Sequence, residues 1–353
     1  MSDFGDVKVL VIDDSAFNRQ TITSILESIP GIRVVARAGD GDEGLKQVFA
    51  LAPDVITLDL EMPKMDGFTF LRILMNRRPT PVIVISSYSR KENVFKALEL
   101  GALDFIAKPT QKISTELREI ERELVERVKL LAKLRPVTLG EPMRQAVVSP
   151  DPLEPAPVLT PAVRLIAIGA STGGPPALQQ IFTSLDARLP VAIVVAQHMP
   201  AKFTGAFAER LDRASAFEVR EAKHGDVLRN GLALIAPGSG IMTLVRAEGG
   251  TIRVKIDQPT SEDRFVPSID KLFESAADMA GADLLGVVLT GMGGDGARGV
   301  RAIKAAGGTS IAEAADTAVI FGMPEEAIKT GAVSEILPLG QIPQAIMRWG
   351  GRR

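Results

Sequence analysis

Proline sets the first limit on what this chain can become. Pro136, Pro142, Pro150, Pro152, Pro155, Pro157 and Pro161 crowd one stretch, with few large apolar residues between them. Such a segment lacks backbone donors, favours extended conformations and buries too little apolar surface to join a core. Residues 136–161 therefore read as a linker, with one domain over 1–135 and a second over 162–353. A length of 353 residues agrees with two domains rather than one.

On both sides of the linker, short apolar runs alternate with helical patterns. Residues 7–12, 33–37, 55–58, 81–85 and 103–106 read as strands, and the segments between them as helices. Ile113, Leu117, Ile120, Leu124, Val128 and Leu131 then mark one face of a domain-closing helix. After the linker, residues 165–168, 191–196, 232–236 and 284–289 repeat the pattern, and 251–256 reads as an added antiparallel strand. The expectation is an α/β protein of two doubly wound, parallel-sheet domains.

In such sheets ligands bind beyond the carboxyl ends of the strands. In the first domain, Asp13 and Asp14 follow the first strand, Asp59 the third and Lys108 the fifth, so all converge on one edge. Three carboxylates repel one another unless a cation sits among them, and an oxygen-only ligand set suits Mg²⁺. An aspartate beside a metal and a lysine can then take up a phosphoryl group. Asp14 and Ser15 also suit the capping of a helix, but capping does not explain three acids and a lysine at matched strand ends.

In the second domain Gly169-Ala-Ser171-Thr-Gly173 fits G-x-S-x-G between a strand and a helix, a tight turn that exposes a serine hydroxyl at a helix N-terminus. The same turn can cradle a phosphate instead. His198 closes the next strand and Asp295 follows a later one, so Ser171, His198 and Asp295 can meet in one crevice as nucleophile, base and orienting carboxylate. Asp295, between glycines, also suits a simple turn, and the Gly291–Gly296 segment can bind a phosphate through its N–H groups. The chain has two histidines, and the other, His224, lies in a polar turn. With no cysteine there is no disulfide, no thiol nucleophile and no Cys-ligated zinc.

Val9-Leu-Val-Ile-Asp-Asp-Ser15, Leu58-Asp-Leu-Glu-Met-Pro-Lys-Met-Asp-Gly67, Ser86-Ser87 and Lys108-Pro109 resemble a two-component receiver domain over about residues 5–130. That resemblance implies phosphorylation of Asp59, a Mg²⁺ site at Asp13, Asp14 and Asp59, and switch residues at Ser86, Phe105 and Lys108. Gly169-Ala-Ser-Thr-Gly-Gly174, Gln197-His-Met-Pro200, Ile235-Ala-Pro-Gly238, Pro267-Ser-Ile-Asp270, Leu289-Thr-Gly-Met-Gly-Gly-Asp-Gly296 and Val319-Ile-Phe-Gly-Met-Pro324 resemble the catalytic domain of chemotaxis response-regulator methylesterases, the CheB family, over about residues 163–347. The resemblance implies a phosphorylation-activated protein-glutamate methylesterase and glutamine deamidase. It implies an oxyanion hole at the Met292 N–H, aided by Thr172, and no cofactor in the hydrolase site. The implied partners are the cytoplasmic helices of methylated chemoreceptors and a chemotaxis histidine kinase as phosphodonor. The chain departs from the family pattern at Ile241, at Phe265-Val266 and at Glu313-Ala-Ala-Asp316, positions that leave the triad intact and bear on substrate range.

The triad by itself specifies acyl transfer; an esterase or amidase with another phospho-regulated target is separated only by a substrate assay. A DNA-binding output domain would carry a helix-turn-helix or a basic face after the linker, and the net charge of −2 gives no dominant nucleic-acid footprint. The N-terminus has no basic start followed by a long apolar run, and no apolar run reaches membrane-spanning length. A cytoplasmic protein with no membrane insertion and no nucleic-acid partner is expected.

Overall fold

Strands of an all-parallel sheet are covered on both faces, so they read as continuous apolar runs rather than alternating ones. The computed structural model describes residues 6–86, 91–108, 124–129, 131–132, 164–186 and 188–351. It forms two compact units, Met1–Arg144 and Gln145–Arg353. The proline-rich segment 136–161 lies outside the described residues, as do Ile113, Leu117, Ile120, Ser87 and Pro109.

The first unit alternates β1 (Val7–Ile12), α1 (Ala16–Glu27), β2 (Ile32–Ala38), α2 (Gly41–Leu51), β3 (Val55–Leu58), α3 (Gly67–Arg77), β4 (Val82–Ser86), α4 (Lys91–Glu99) and β5 (Asp104–Ala107). Its sheet runs β2-β1-β3-β4-β5, every pairing parallel. Chain order reverses between β1 and β3, which places the crevice beside β1. Ser15, Asp40 and Asp66 cap α1, α2 and α3 by accepting N–H bonds from Asn18, Glu43 and Thr69. Residues 124–129 are helical, and Leu124, Val128 and Leu131 are buried, as their spacing predicts.

The second unit contains β6 (Arg164–Ala170), α5 (Gly174–Ser184), β7 (Val191–Gln197), α6 (Ala201–Ala214), β8 (Glu218–Glu221), β9 (Leu232–Ile235), β10 (Ile241–Arg246), β11 (Ile252–Asp257), α7 (Ile269–Ala280), β12 (Leu284–Val288), α8 (Ala297–Ala305), β13 (Thr309–Glu313), α9 (Met323–Lys329), β14 (Glu335–Leu337) and α10 (Ile342–Gly350). Seven strands pair in the order β14-β13-β12-β6-β7-β9-β8, all parallel. All of β7 and β12, and all of β6 after Arg164, are buried. The antiparallel strand expected over 251–256 is β11, whose partner is β10 in a separate two-stranded ribbon. On α7, Ile269, Leu272, Phe273, Ala276 and Ala277 form one buried stripe at helical spacing.

The periodicity missed β8, β10, β13 and β14. β8 is short, with three of its four residues charged, and β14 carries Glu335 and Ile336 exposed at the sheet edge. Neither shows the apolar run that marks a covered strand.

Candidate functional site

β6 sits between β12 and β7, the point where the larger sheet reverses its order. The three strands end side by side and deliver the residues singled out in the sequence. Ser171 follows β6, His198 follows β7, and Asp295 lies in the loop after β12. Backbone bonds hold the ends together: Ser171 N–H donates to the Thr290 carbonyl at 3.0 Å, and His198 N–H to the Ala170 carbonyl at 2.9 Å. Gly173, at φ +79°, makes the turn from β6 into α5, and a Cβ there would meet Val319 at 2.7 Å. Gly291 brings the neighbouring loop so close that a Cβ would lie 2.7 Å from Ser171 Cβ. Side chains at these two positions would push apart the elements that frame the serine.

His198 Nε2 and Asp295 Oδ2 are 2.8 Å apart. The same oxygen accepts from Ile269 N–H and the other from Asp270 N–H, both at 2.8 Å. Asp295 therefore sits on the N-terminus of α7, where free amides and the helix dipole favour a negative charge. Asp270 answers in the reverse direction. Its Oδ1 accepts from Gly296 N–H and Gly299 N–H, both at 2.8 Å, at the start of α8. Burial raises the Asp270 pKa and the charge of Asp295 adds to the rise, against the Gly299 and Gly296 bonds. The two aspartates thus cap each other's helices and fix the carboxylate that faces the imidazole.

With Nε2 directed at Asp295, Nδ1 of His198 has no hydrogen-bond partner among the described residues. Among the described residues no hydrogen bond joins Ser171 Oγ to His198, a common condition of catalytic pairs without substrate. Ser171 is largely buried but retains an exposed fraction of 9%. Thr172 is buried beside it, while Met292 is 38% exposed at the rim. Among the described residues the Met292 N–H donates no hydrogen bond. His224 is exposed and, among the described residues, bonds only the backbone of Ile256, consistent with a loop residue.

Three further side chains enter the site without having been assigned a role from sequence. Buried Gln197 donates from Nε2 to the carbonyls of Ser171 and His198, both at 2.9 Å, and so ties the two strand ends together. The Phe265 ring stacks on the His198 imidazole at 5.1 Å and 7°. Asp270 caps α8 as described. Gln197 and Asp270 stand inside motifs quoted for the family resemblance, and Phe265 stands at a departure from it, so the signal was position without a partner.

In the first unit, Asp13 and Asp59 are buried and Asp14 exposed, with ligand oxygens within 4.8 Å of one another. Lys108 Nζ reaches Asp59 Oδ2 at 2.6 Å and Asp13 Oδ2 at 3.2 Å. Burial raises the Asp59 pKa, and Asp13 adds to the rise against the hydrogen bond from Lys108. Burial alone would lower Lys108, but the bond to Asp59 and the two carboxylate charges carry it upward. A crowded set of oxygen ligands, with one acid driven toward its neutral form, fits a hard divalent cation. Ser86 ends β4 nearby and is buried. Phe105 is buried on β5, edge-on to Phe95 of α4 at 6.5 Å.

Comparison with known proteins agrees with both halves. Residues 166–346 match the family described as CheB methylesterase, and residues 9–119 the response regulator receiver domain. The protein-glutamate methylesterase/protein-glutamine glutaminase 1 of Myxococcus xanthus is 50% identical over 356 residues, covering 100% of both chains. The corresponding protein 3 of Geobacter sulfurreducens is 48% identical, covering 97% of each. The crystal structure of the Thermotoga maritima CheB methylesterase catalytic domain has a TM-score of 0.51 and 38% identity, over 53% of this chain and 98% of that one.

Proposed function

Since this chain belongs to the CheB methylesterase family and carries a response regulator receiver domain, we propose that it is a phosphorylation-activated hydrolase that removes methyl groups from glutamyl methyl esters of chemoreceptors. The observation that carries the chemistry is the His198–Asp295 pair at 2.8 Å, set at the neighbouring strand end to Ser171. Asp295, saturated by amide donors, keeps the proton of His198 on Nε2. Nδ1 then takes the proton of Ser171 as its oxygen attacks the ester carbonyl. The Met292 N–H, with Thr172 beside it, receives the charge that develops on the carbonyl oxygen. Methanol departs with the proton from Nδ1, and water cleaves the acyl-serine by the same path. A glutamine side chain in that position releases ammonia instead, the second activity in the names of the relatives.

In the receiver, Asp59 accepts the phosphoryl group from a chemotaxis histidine kinase. Asp13, Asp14 and Asp59 would hold Mg²⁺, which neutralises charge on the incoming phosphoryl oxygens. Lys108 and Ser86 bind those oxygens, and Phe105 is the aromatic that responds. The cytoplasmic helices of its receptor substrates and its kinase phosphodonor put its proposed work in the cytoplasm. Among the described residues no helix is long and apolar enough to cross a membrane.

Methanol release from methylated receptors, with and without a small phosphodonor, tests this reading. S171A should lose hydrolysis by many orders of magnitude while remaining folded. Near-normal release by folded S171A would defeat the mechanism.

A further inference from the structure

Glu313 takes no part in the reaction just described, yet its carboxyl lies directly behind the nucleophile loop. It closes β13 and has no exposed surface. One oxygen accepts from the Thr290 N–H at 2.8 Å and the other from the Thr317 hydroxyl at 3.1 Å. Thr290 in turn joins three loops. Its carbonyl accepts from the Ser171 N–H at 3.0 Å. Its hydroxyl donates to the Thr172 carbonyl at 2.9 Å and accepts from the Ile320 N–H at 2.9 Å. Any displacement of Thr290 therefore moves Ser171, the backbone of Thr172 and the start of the Met292 loop together.

We propose that Glu313 is a positioning residue for hydrolysis: its ionised carboxylate, acting through Thr290, holds Ser171 and Thr172 in the reactive arrangement, and its protonation slackens that hold. The proposal rests on the reading of Ser171 as nucleophile. An ionised carboxylate makes shorter and stronger bonds to N–H and O–H donors than a neutral acid does. Once protonated, it must also place an O–H donor. The Thr317 hydroxyl, which already accepts from the Leu339 N–H at 2.9 Å, would then have to turn from donor to acceptor. Burial pushes Glu313 up to about 7, and the charge of Asp316 adds to the rise against the bonds from Thr290 and Thr317. Among the described residues no cation pairs with it. The charged groups on the packed elements are exposed: Arg298, Arg301 and Lys304 on α8, with Arg298 paired to Glu274 and Lys304 bonded to the Gly331 carbonyl; Lys329 with Glu325 and Glu326 on α9; and Glu335 of β14 with Arg348. The carboxyl therefore changes state close to neutral pH, well above the range of an exposed glutamate.

The test uses the full-length protein and follows two NMR signals across roughly pH 5 to 9. These are the Glu313 carboxyl carbon and the Ser171 amide. The Ser171 amide should shift in step with the Glu313 titration. That step should vanish in E313Q, whose amide oxygen still accepts from the Thr290 N–H. In methanol release, the kcat advantage of the wild type over E313Q should shrink as pH falls through the Glu313 titration, because protonation of Glu313 adds its own loss to that of the imidazole. E313Q should follow a single ionisation, with KM kept and kcat near pH 8 lowered on the order of threefold. E313A, which leaves the Thr290 N–H without an acceptor, should lose more kcat than E313Q at every pH. A Ser171 amide indifferent to Glu313, or identical acid limbs for wild type and E313Q, would overturn the proposal. The NMR readout needs no substrate, so an absence of methanol release would count against the hydrolase reading, while the amide still decides the role of Glu313.

Discussion

Each unit places its candidate site at the carboxyl ends of parallel strands, beside the first strand of its sheet, but the two treat a buried carboxylate in opposite ways. Asp59 shares its pocket with Asp13 and is met by the Lys108 ammonium, and burial raises its pKa. Asp295 accepts from two helix N-terminal amides and faces an imidazole, each at 2.8 Å. The first acid is left short of fixed donors, so a cation and an incoming phosphoryl group can complete its surroundings. The second has its surroundings complete before substrate arrives, and so can only hold its partner still. On the proposed roles, a carboxylate that reacts and a carboxylate that orients are told apart by what the backbone gives them.

Removing the fixed acceptor should produce the largest effect. In D295N an amide replaces a carboxylate that accepts from two N–H groups and the imidazole, so its NH₂ meets a donor whichever way it turns. The imidazole loses the partner that sets its tautomer. Methanol release should show kcat down about 10⁴-fold with the fold intact. A loss of only tenfold would break the distinction drawn here. On the other side, D59N removes an acceptor of phosphoryl groups and no part of the triad. The rate should stay at its unstimulated level when a small phosphodonor is added, and the acid-labile phosphoprotein should not form. A D59N protein still stimulated by phosphodonor would assign the reactive carboxylate elsewhere.

Glu313 sharpens the comparison from a third position, a carboxylate with fixed donors but, among the described residues, no paired cation. Its pKa in the folded state is raised from 4.5 to about 7 by burial. Between those values the unfolded chain has released a proton that the folded one keeps. Stability is therefore greatest below pH 4.5 and falls as pH rises toward 7, levelling above it. The rise corresponds to about 3 kcal/mol. E313Q cannot ionise, so its thermal midpoint should exceed that of the wild type at about pH 8 and approach it at about pH 4. Parallel pH profiles of the two midpoints would show that Glu313 ionises as an exposed glutamate does.

Much of this was legible before the structure. Fully covered strands such as β7 and β12 are continuous apolar runs, so the sequence alone placed Ser171, His198 and Asp295 at strand ends. The edge strand β8 is mostly charged, and the ribbon strand β10 leaves Val245 and Arg246 exposed; neither left a comparable trace. Residue type and position also identified Asp13, Asp14, Asp59 and Lys108 as a cluster. What stayed hidden was pairing across long separations. Asp270 and Asp295 cap each other's helices across 25 residues, and Gln197 reaches back 26 residues to Ser171. Neither contact follows from local periodicity, because each depends on which loops the closed sheet brings together. Which nitrogen of His198 faces Asp295 is likewise a property of ring orientation alone.

Phe265 shows the same limit and gives a small predicted effect. In the sequence it is a departure from the family pattern; in the fold its ring lies parallel to the His198 imidazole at 5.1 Å. The carboxylate fixes one nitrogen of that imidazole, and the stacked ring restrains its plane. Stacking of this kind contributes about 0.5–1.5 kcal/mol beyond area burial. F265L keeps most of the apolar volume and removes the flat face, so kcat should fall by about two- to tenfold with KM held. F265W restores a flat face and should recover most of the loss. If Phe265 instead contacts substrate, F265L would raise KM and leave kcat alone. If kcat and KM both stay at wild-type values, the ring is only a neighbour. A small loss in F265L beside a very large one in D295N would mean that the imidazole is held by its carboxylate and only trimmed by its stack. Comparable losses would mean that the plane of the ring matters as much as its proton, and the contrast between reacting and orienting carboxylates would account for less of the catalysis than Asp295's three bonds suggest.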